Sequence, residues 1–205
     1  MLAGHRIRMR LCAEKRASWG QVTISSMGKV LYSVTMSLDG FIAGPGGDMS
    51  WLTPYLGPNP EIDELQRDIG ALLVGNRTFR GEDPNRGTDK EGAFEGTWHG
   101  PQVVVTHHVP PTSMPGITFV DDLEEGLAAA KSAAGDRYVN VLGADIARQC
   151  LEAGQLDEVL TIIAPVLLGD GTRLFSHPGG RSVRLERIRV AEVPHATNLW
   201  MRVVR

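Results

Sequence analysis

At 205 residues, with 42% hydrophobic and 22% charged side chains, the chain has the size and composition of one soluble domain with a sizeable core. A net charge of −3 argues against a nucleic-acid partner, and no apolar run approaches the roughly 20 residues that span a membrane. The two cysteines, Cys12 and Cys150, lie far apart, which excludes a disulfide framework or a cysteine metal cluster and suits a reducing cytoplasm.

Residues 1–26 differ in character from the rest. Arg6, Arg8, Arg10, Lys15 and Arg16 oppose only Glu14, and no apolar signal-peptide core accompanies them. The expectation is a poorly ordered extension. Residues 30–36 then alternate with period two and predict a first strand. They run into Ser37-Leu38-Asp39-Gly40 and on through Gly44-Pro45-Gly46-Gly47-Asp48 to Trp51, punctuation dense enough to predict a mobile loop. Residues 59–70 carry Ile62, Leu65 and Ile69 at helical spacing, with Glu61, Asp63 and Glu64 in an acidic first turn. A buried strand over 71–74 leads into a turn at Gly75-Asn76-Arg77-Thr78. Residues 81–101 hold seven charged side chains and five glycines without any period, and predict a long surface loop.

Residues 103–106 and 118–120 read as strands. Residues 122–134 form an amphipathic helix with Leu123, Leu127, Ala130 and Ala134 facing in and Gly135 stopping it. The stretch from 138 to 169 is one strand–turn–helix–strand unit. Its first strand, 138–142, ends at Gly143-Ala144. The helix that follows sets Ile146, Ala147, Cys150 and Leu151 on one face and stops at Gly154; a second strand, 159–164, ends at Pro165. Turns at 169–171 and 178–180 separate it from two alternating segments, 183–190 and 199–204, which read as half-exposed antiparallel strands. The pattern predicts an α/β fold with a mainly parallel central sheet flanked by helices and antiparallel strands at its C-terminal end.

No G-x-G-x-x-G, phosphate-binding P-loop, H-E-x-x-H or G-x-S-x-G motif occurs, and adjacent His107 and His108 diverge too much on a strand end to chelate one metal together. A strand feeding a helix through Gly143 leaves free backbone N–H groups at the helix start, which suit an anionic group; spacing alone fits a plain βαβ connection as well. An arginine after a buried strand, as at Arg77, offers a permanently charged fork for phosphate.

From Leu151 the chain runs Leu151-Glu152-Ala153-Gly154-Gln155-Leu156-Asp157-Glu158, then Ala164-Pro165-Val166-Leu167-Leu168-Gly169. This resembles the L-x-x-G-x-V-D-E-x-x-x-x-x-A-P-x-L-L-G signature of the dihydrofolate reductase-like superfamily, and in particular the reductase domain of the riboflavin-biosynthesis protein RibD and its stand-alone relatives. The resemblance covers residues 29–205 and implies a single domain over 27–205. It implies NADPH as cofactor, its pyrophosphate held by the helix start at Leu142, Gly143, Ala144, Asp145 and Ile146. Gly75, Arg77 and Thr78 resemble the family's cofactor-contacting G-R-x-T turn, with Asn76 inserted. Thr106, His107 and His108 occupy the position that approaches the adenosine ribose and its phosphate. Trp51 matches the tryptophan bordering the nicotinamide. The run 78–84 resembles T-x-x-x-D-D-P, placing Glu82 and Asp83 toward the substrate.

Asp39, in the family's S-L-D-G turn, is expected either to orient substrate or to brace its loop, and Asp39 or Asp48 to deliver a proton, directly or through water. Two departures stand out: Leu56 and Val141 replace carboxylates that define the substrates of true dihydrofolate reductases and of RibD. The function implied is hydride transfer to a flat heterocycle or imine, as in 5-amino-6-(5-phosphoribosylamino)uracil reduction. Dihydrofolate, pteridine or deazaflavin-dependent reduction, NADH in place of NADPH, and a non-catalytic nucleotide-binding module stay open. The partners expected are a small-molecule substrate and no nucleic acid or membrane, with a homodimer also open. No metal is expected.

Overall fold

The computed structural model describes residues 28–205 except 82, 84 and 113. The expectation for residues 1–26 therefore falls outside the described residues, as does that for Glu82. The elements run in the order β1 (Val30–Ser37), β2 (Phe41–Ala43), α1 (Pro60–Asp68), β3 (Ile69–Gly75), α2 (Asn76–Phe79), β4 (Gln102–Val105) and β5 (Ile117–Val120). They continue as α3 (Leu123–Ala134), β6 (Tyr138–Leu142), α4 (Ala144–Glu152), β7 (Glu158–Ala164), β8 (Thr172–Arg173), β9 (Leu185–Val193) and β10 (Ala196–Val203). Eight strands form one sheet in the order β5-β4-β3-β6-β1-β7-β10-β9. From β5 to β7 all neighbours are parallel; β10 and β9 are added antiparallel.

Alternation along the strands divides the core into two layers, because successive side chains point to opposite faces. Val30, Tyr32, Ala71, Leu73, Val139 and Val141 meet α3 and α4 through Leu127, Ala130, Ile146, Ala147 and Cys150. Leu31, Leu72, Val74, Leu160 and Ile162 meet α1 through Leu65 and Ile62 on the other face. Each fully buried Val, Leu or Ile among them contributes about 1.5–3 kcal/mol of transfer free energy. The caps follow the sequence signals. Asp122 accepts from the Glu125 N–H at 2.9 Å and starts α3, and Gly135, at φ +67°, ends it.

Three local expectations are corrected. Helical spacing extends the first helix through Ile69, but α1 ends at Asp68. Ile69 is extended, buried and opposite Tyr138, so strand pairing outweighs the helical period there. The turn expected at 75–78 is a short helix, α2, whose cap Arg80 N–H reaches the Asn76 carbonyl. The loop expected after β1 contains strand β2, which pairs antiparallel with β8, Phe41 opposite Arg173 and Ala43 opposite Thr172. The long loop over 81–101 is confirmed; it folds onto itself, the Asp83 carboxylate accepting from the N–H groups of Asn85 and Gly92, both at 2.7 Å.

Candidate active site at the carboxyl edge of the sheet

Because β4, β3 and β6 are parallel neighbours, their C-terminal ends lie side by side along one edge. The three turns singled out in the sequence leave the sheet there: Thr106–His108 after β4, Gly75–Thr78 after β3 and Gly143–Ile146 after β6. Next in the sheet is β1, which pairs with β6 only as far as Tyr32 opposite Val141. Its pairing with β7 continues to Ser37 opposite Ala164. Residues 33–37 thus run on with no strand on the β6 side, and a cleft opens between β1 and β6. The crossover from β1 passes through α1 on one face, and that from β6 through α4 on the other. Such a switch point in an open sheet is where ligands bind.

Gly143 turns the chain into α4 at φ +112°, a conformation that penalises a β-carbon. A β-carbon built there would fall 2.6 Å from Thr78 Oγ1. Gly75 is required for packing instead, since a β-carbon on it would lie 2.9 Å from Ile146 Cγ1. The turns after β3 and β6 are therefore in direct contact. The Gly143 carbonyl accepts the Ala147 N–H at 3.0 Å, and no side chain caps the N–H groups before it. Asp145, an anion in this first turn, is drawn back along its own helix by Arg148 at 2.7 Å and Gln149 at 2.8 Å. The Arg148 hydrogen bond, then that of Gln149 and the charge of Arg77, hold its carboxyl below the usual range. Arg77 itself is exposed and makes no ion pair among the described residues.

Thr106 is buried, and its hydroxyl is taken up by its own turn: Oγ1 accepts the His108 N–H at 3.2 Å and faces the His108 carbonyl at 3.4 Å. His107 and His108 are exposed. On the β1 side, Asp39 accepts from Ser37 Oγ at 2.5 Å and from the N–H groups of Leu168 at 3.1 Å and Gly169 at 2.7 Å. The Ser37 hydroxyl first, then the Gly169 and Leu168 amides, bring its pKa down to about 2. Asp48 accepts the Ser50 N–H at 2.8 Å, and that bond lowers its pKa too. Both carboxylates are ionised near neutrality. Trp51 lies half-buried, its ring 6.4 Å from that of Tyr55, and its buried Nε1 has no acceptor among the described residues. Val141 is wholly buried in the α3/α4 layer, and Asp83 is spent on its own loop.

One residue of this region was not singled out from the sequence. Asn140 is fully buried in β6, where β1 and β6 part; its Oδ1 accepts the Ser33 N–H at 3.3 Å, and its Nδ2 has no acceptor among the described residues. An amide inside the apolar run 138–142 was the available signal. Among the described residues no cluster of metal-ligating side chains occurs, and no helix is long and apolar enough to cross a membrane.

Helices on both faces of a mostly parallel sheet, an antiparallel C-terminal pair and a cleft at the switch point define a dihydrofolate reductase-like fold. Within that class the chain belongs to the RibD C-terminal domain family, whose model matches residues 28–198. It is 26% identical over 160 residues to the uncharacterized protein YyaP of Bacillus subtilis, covering 72% of this chain and 80% of that one. Among solved structures it resembles the riboflavin biosynthesis reductase Rib7 of Saccharomyces cerevisiae, with TM-score 0.60 and 18% identity over 90% of this chain and 94% of that one. The deaminase/5-amino-6-(5-phosphoribosylamino)uracil reductase of Thermotoga maritima gives TM-score 0.62 at 19% identity, covering 87% of this chain and 57% of that one. A dihydrofolate reductase of Enterococcus faecalis complexed with NADP(H) gives 0.55 at 16%, over 86% and 96%. At these identities the structural likeness carries the fold alone.

Proposed function

We propose that the chain is an NADPH-dependent reductase that transfers a hydride to a small heterocyclic or imine substrate, as the RibD-type 5-amino-6-(5-phosphoribosylamino)uracil reductases do. The observation that carries this is the meeting of the turns after β3 and β6 at Gly143, beside the cleft where β1 parts from β6. A glycine with positive φ, uncapped helix N–H groups and an arginine without an ion pair among the described residues suit a pyrophosphate. Backbone groups of Leu142–Ile146, with Gly75, Arg77 and Thr78, would hold it; His107 and His108 would face the adenosine end, and Trp51 would border the nicotinamide. NADPH supplies the hydride.

The chain's own residues then have three tasks: to orient the substrate, to exclude water and to pass one proton. The buried donors Asn140 Nδ2 and Trp51 Nε1 suit a heterocycle that presents acceptors. Asp39 and Asp48, held ionised, are suited to ordering a water that carries the proton and not to giving one up themselves. Titration of the purified chain with NADPH, NADH and a deazaflavin tests the reading, followed by turnover assays with pterin, pyrimidine and imine substrates. NADPH binding with turnover of one of these classes is expected.

A second reading is a nucleotide-binding module without turnover. Leu56 and the core residue Val141 favour it, since neither can supply the carboxylate that the resemblance leads one to look for. NADPH binding without turnover of any of the three classes would favour this module, and deazaflavin binding without NADPH binding would move the assignment to the deazaflavin reductases.

A further inference from the structure

The two sides of the cleft differ in charge. Arg77, His107 and His108 stand exposed on the cofactor side, in the chain that follows β3 and β4. The other side is built from three segments: residues 37–59 from the end of β1, 162–171 from the end of β7, and 192–198 around the β9–β10 hairpin. Ser37 lies opposite Ala164 and Thr197 opposite Ile163, so all three meet at the same carboxyl edge. The Leu38 N–H donates to the Val166 carbonyl at 2.8 Å, and the amides of Asn59 and Asn198 exchange hydrogen bonds at 3.0 and 2.8 Å. These segments contain no lysine or arginine; beside one histidine, their charged residues are Asp39, Asp48, Asp170 and Glu192. Leu38 and Leu167 at the same edge are 65% and 68% exposed.

The cations next along the chain are engaged elsewhere. Arg173 of β8 lies over the Phe41 ring, 4.5 Å from its centroid. The loop over 81–101 sets five acidic residues against Arg86 and Lys90; Arg86 donates to the Gly81 carbonyl and Lys90 to Glu95, both at 2.9 Å. A phosphate or carboxylate brought to the β1–β7 side would enter a field of its own sign, and none of the three segments supplies a guanidinium or ammonium to bind it. What the site offers is donors: Asn140 Nδ2, wholly buried where β1 and β6 part, and Trp51 Nε1 beside the Tyr55 ring, both without an acceptor among the described residues. Ring acceptors of a flat heterocycle satisfy such donors without adding charge. We infer, on the reductase reading proposed above, that the substrate is a planar heterocycle free of phosphate and carboxylate, its substituents neutral or cationic. This parts the chain from the reductases of 5-amino-6-(5-phosphoribosylamino)uracil, whose substrate carries a phosphate.

Matched triplets of pterin and aminouracil compounds, each bearing the same tail ended by a phosphate, a hydroxyl or an amine, test this on the NADPH-saturated full chain. Calorimetric titration gives the affinities and NADPH oxidation the turnover. In at least one triplet the hydroxyl and amine members are expected to bind at least about tenfold more tightly than the phosphate member, the amine no less tightly than the hydroxyl. Raising the salt to about 0.5 M should narrow that gap, because exposed charges are then screened. A phosphate member that binds as tightly as its hydroxyl partner, a gap unmoved by salt, or NADPH-loaded protein that binds no neutral member overturns the inference and leaves the reductase reading standing. A chain that does not bind NADPH overturns that reading, and the inference with it.

Discussion

Thr78 occupies the space that a side chain on Gly143 would need: a β-carbon there would approach Thr78 Oγ1 to 2.6 Å. The two residues belong to different turns, one after β3 and one after β6, and their contact sets the start of α4 against α2. Gly143→Val should therefore abolish NADPH binding, measured by calorimetric titration. It should also lower stability by about 1–3 kcal/mol, since the residue must keep φ +112° as well as clear Thr78. Gly143→Ala combined with Thr78→Ala separates the two costs: the clash disappears and the backbone penalty stays. Normal NADPH affinity in Gly143→Val would remove the phosphate from this turn.

Arg77 is exposed on α2 with no carboxylate bound to it among the described residues, although its charge reaches Asp145. A guanidinium left unpaired beside uncapped N–H groups is placed for a phosphate. Arg77→Ala should weaken NADPH binding by about 1.5–3 kcal/mol, the range of charge-assisted hydrogen bonds, and leave the melting temperature within error. An unchanged dissociation constant would return Arg77 to the role of a surface charge.

Asp145 gives the complementary experiment. Its carboxylate is bound to Arg148 and Gln149, which turns it along α4 and offsets its charge. Asp145→Asn removes the anion and releases Arg148, so NADPH affinity should hold or rise, by up to about 1 kcal/mol. Loss of binding in a folded Asp145→Asn protein would mean that the carboxylate itself contacts the ligand.

Residues 1–26 are expected to be dispensable for the domain. Gly28 is already fixed by its N–H bond to the Gly135 carbonyl at 2.9 Å, and β1 follows at Val30. A chain beginning at Met27 should melt at the same temperature as the full chain and bind NADPH equally well. A marked drop in either would show that the extension contributes contacts of its own.

What could be read in the sequence was what local pattern decides. The unit from Tyr138 to Ala164 is set by a β-branched run, an apolar helix face and glycine stops, and it appears with nearly the expected bounds. Ile69 continued the period of Ile62 and Leu65, yet its state is decided by Tyr138 on a strand 69 residues away, which no local period reports. Strand β2 exists only because Thr172 and Arg173 lie beside it. The same holds within the site. The positions of Gly75, Arg77 and Gly143 on one edge follow from strand order, which the resemblance implied and spacing did not. The Thr106 side chain bonds within its own turn, where its Oγ1 accepts the His108 N–H, a local pairing open to any hydroxyl two residues before a free N–H.

Asp39 shows the same long-range dependence, and a pH experiment exposes it. Its partners are Ser37 close by and the amides of Leu168 and Gly169, the latter 130 residues downstream. These bonds exist only in the folded chain and favour the ionised form, which lowers the folded pKa from 3.8 to about 2. A carboxyl whose folded pKa is depressed contributes stability that is fully present above its unfolded pKa. That contribution is lost as pH falls through the folded value, because the unfolded chain takes up the proton first. The window is therefore from about pH 4 down to about pH 2. Asp39→Asn cannot accept both backbone N–H bonds as a carboxylate does, so it should be less stable than wild type at pH 7, and the gap should narrow across that window. Urea midpoints at pH 7, 4 and 2.5 measure it. The same pKa predicts that turnover between pH 6 and 8 shows no inflection from Asp39. If the gap stays constant down to pH 2.5, the turn after β1 and the segment after β7 are held together by other contacts, and Asp39 is free to serve the substrate instead.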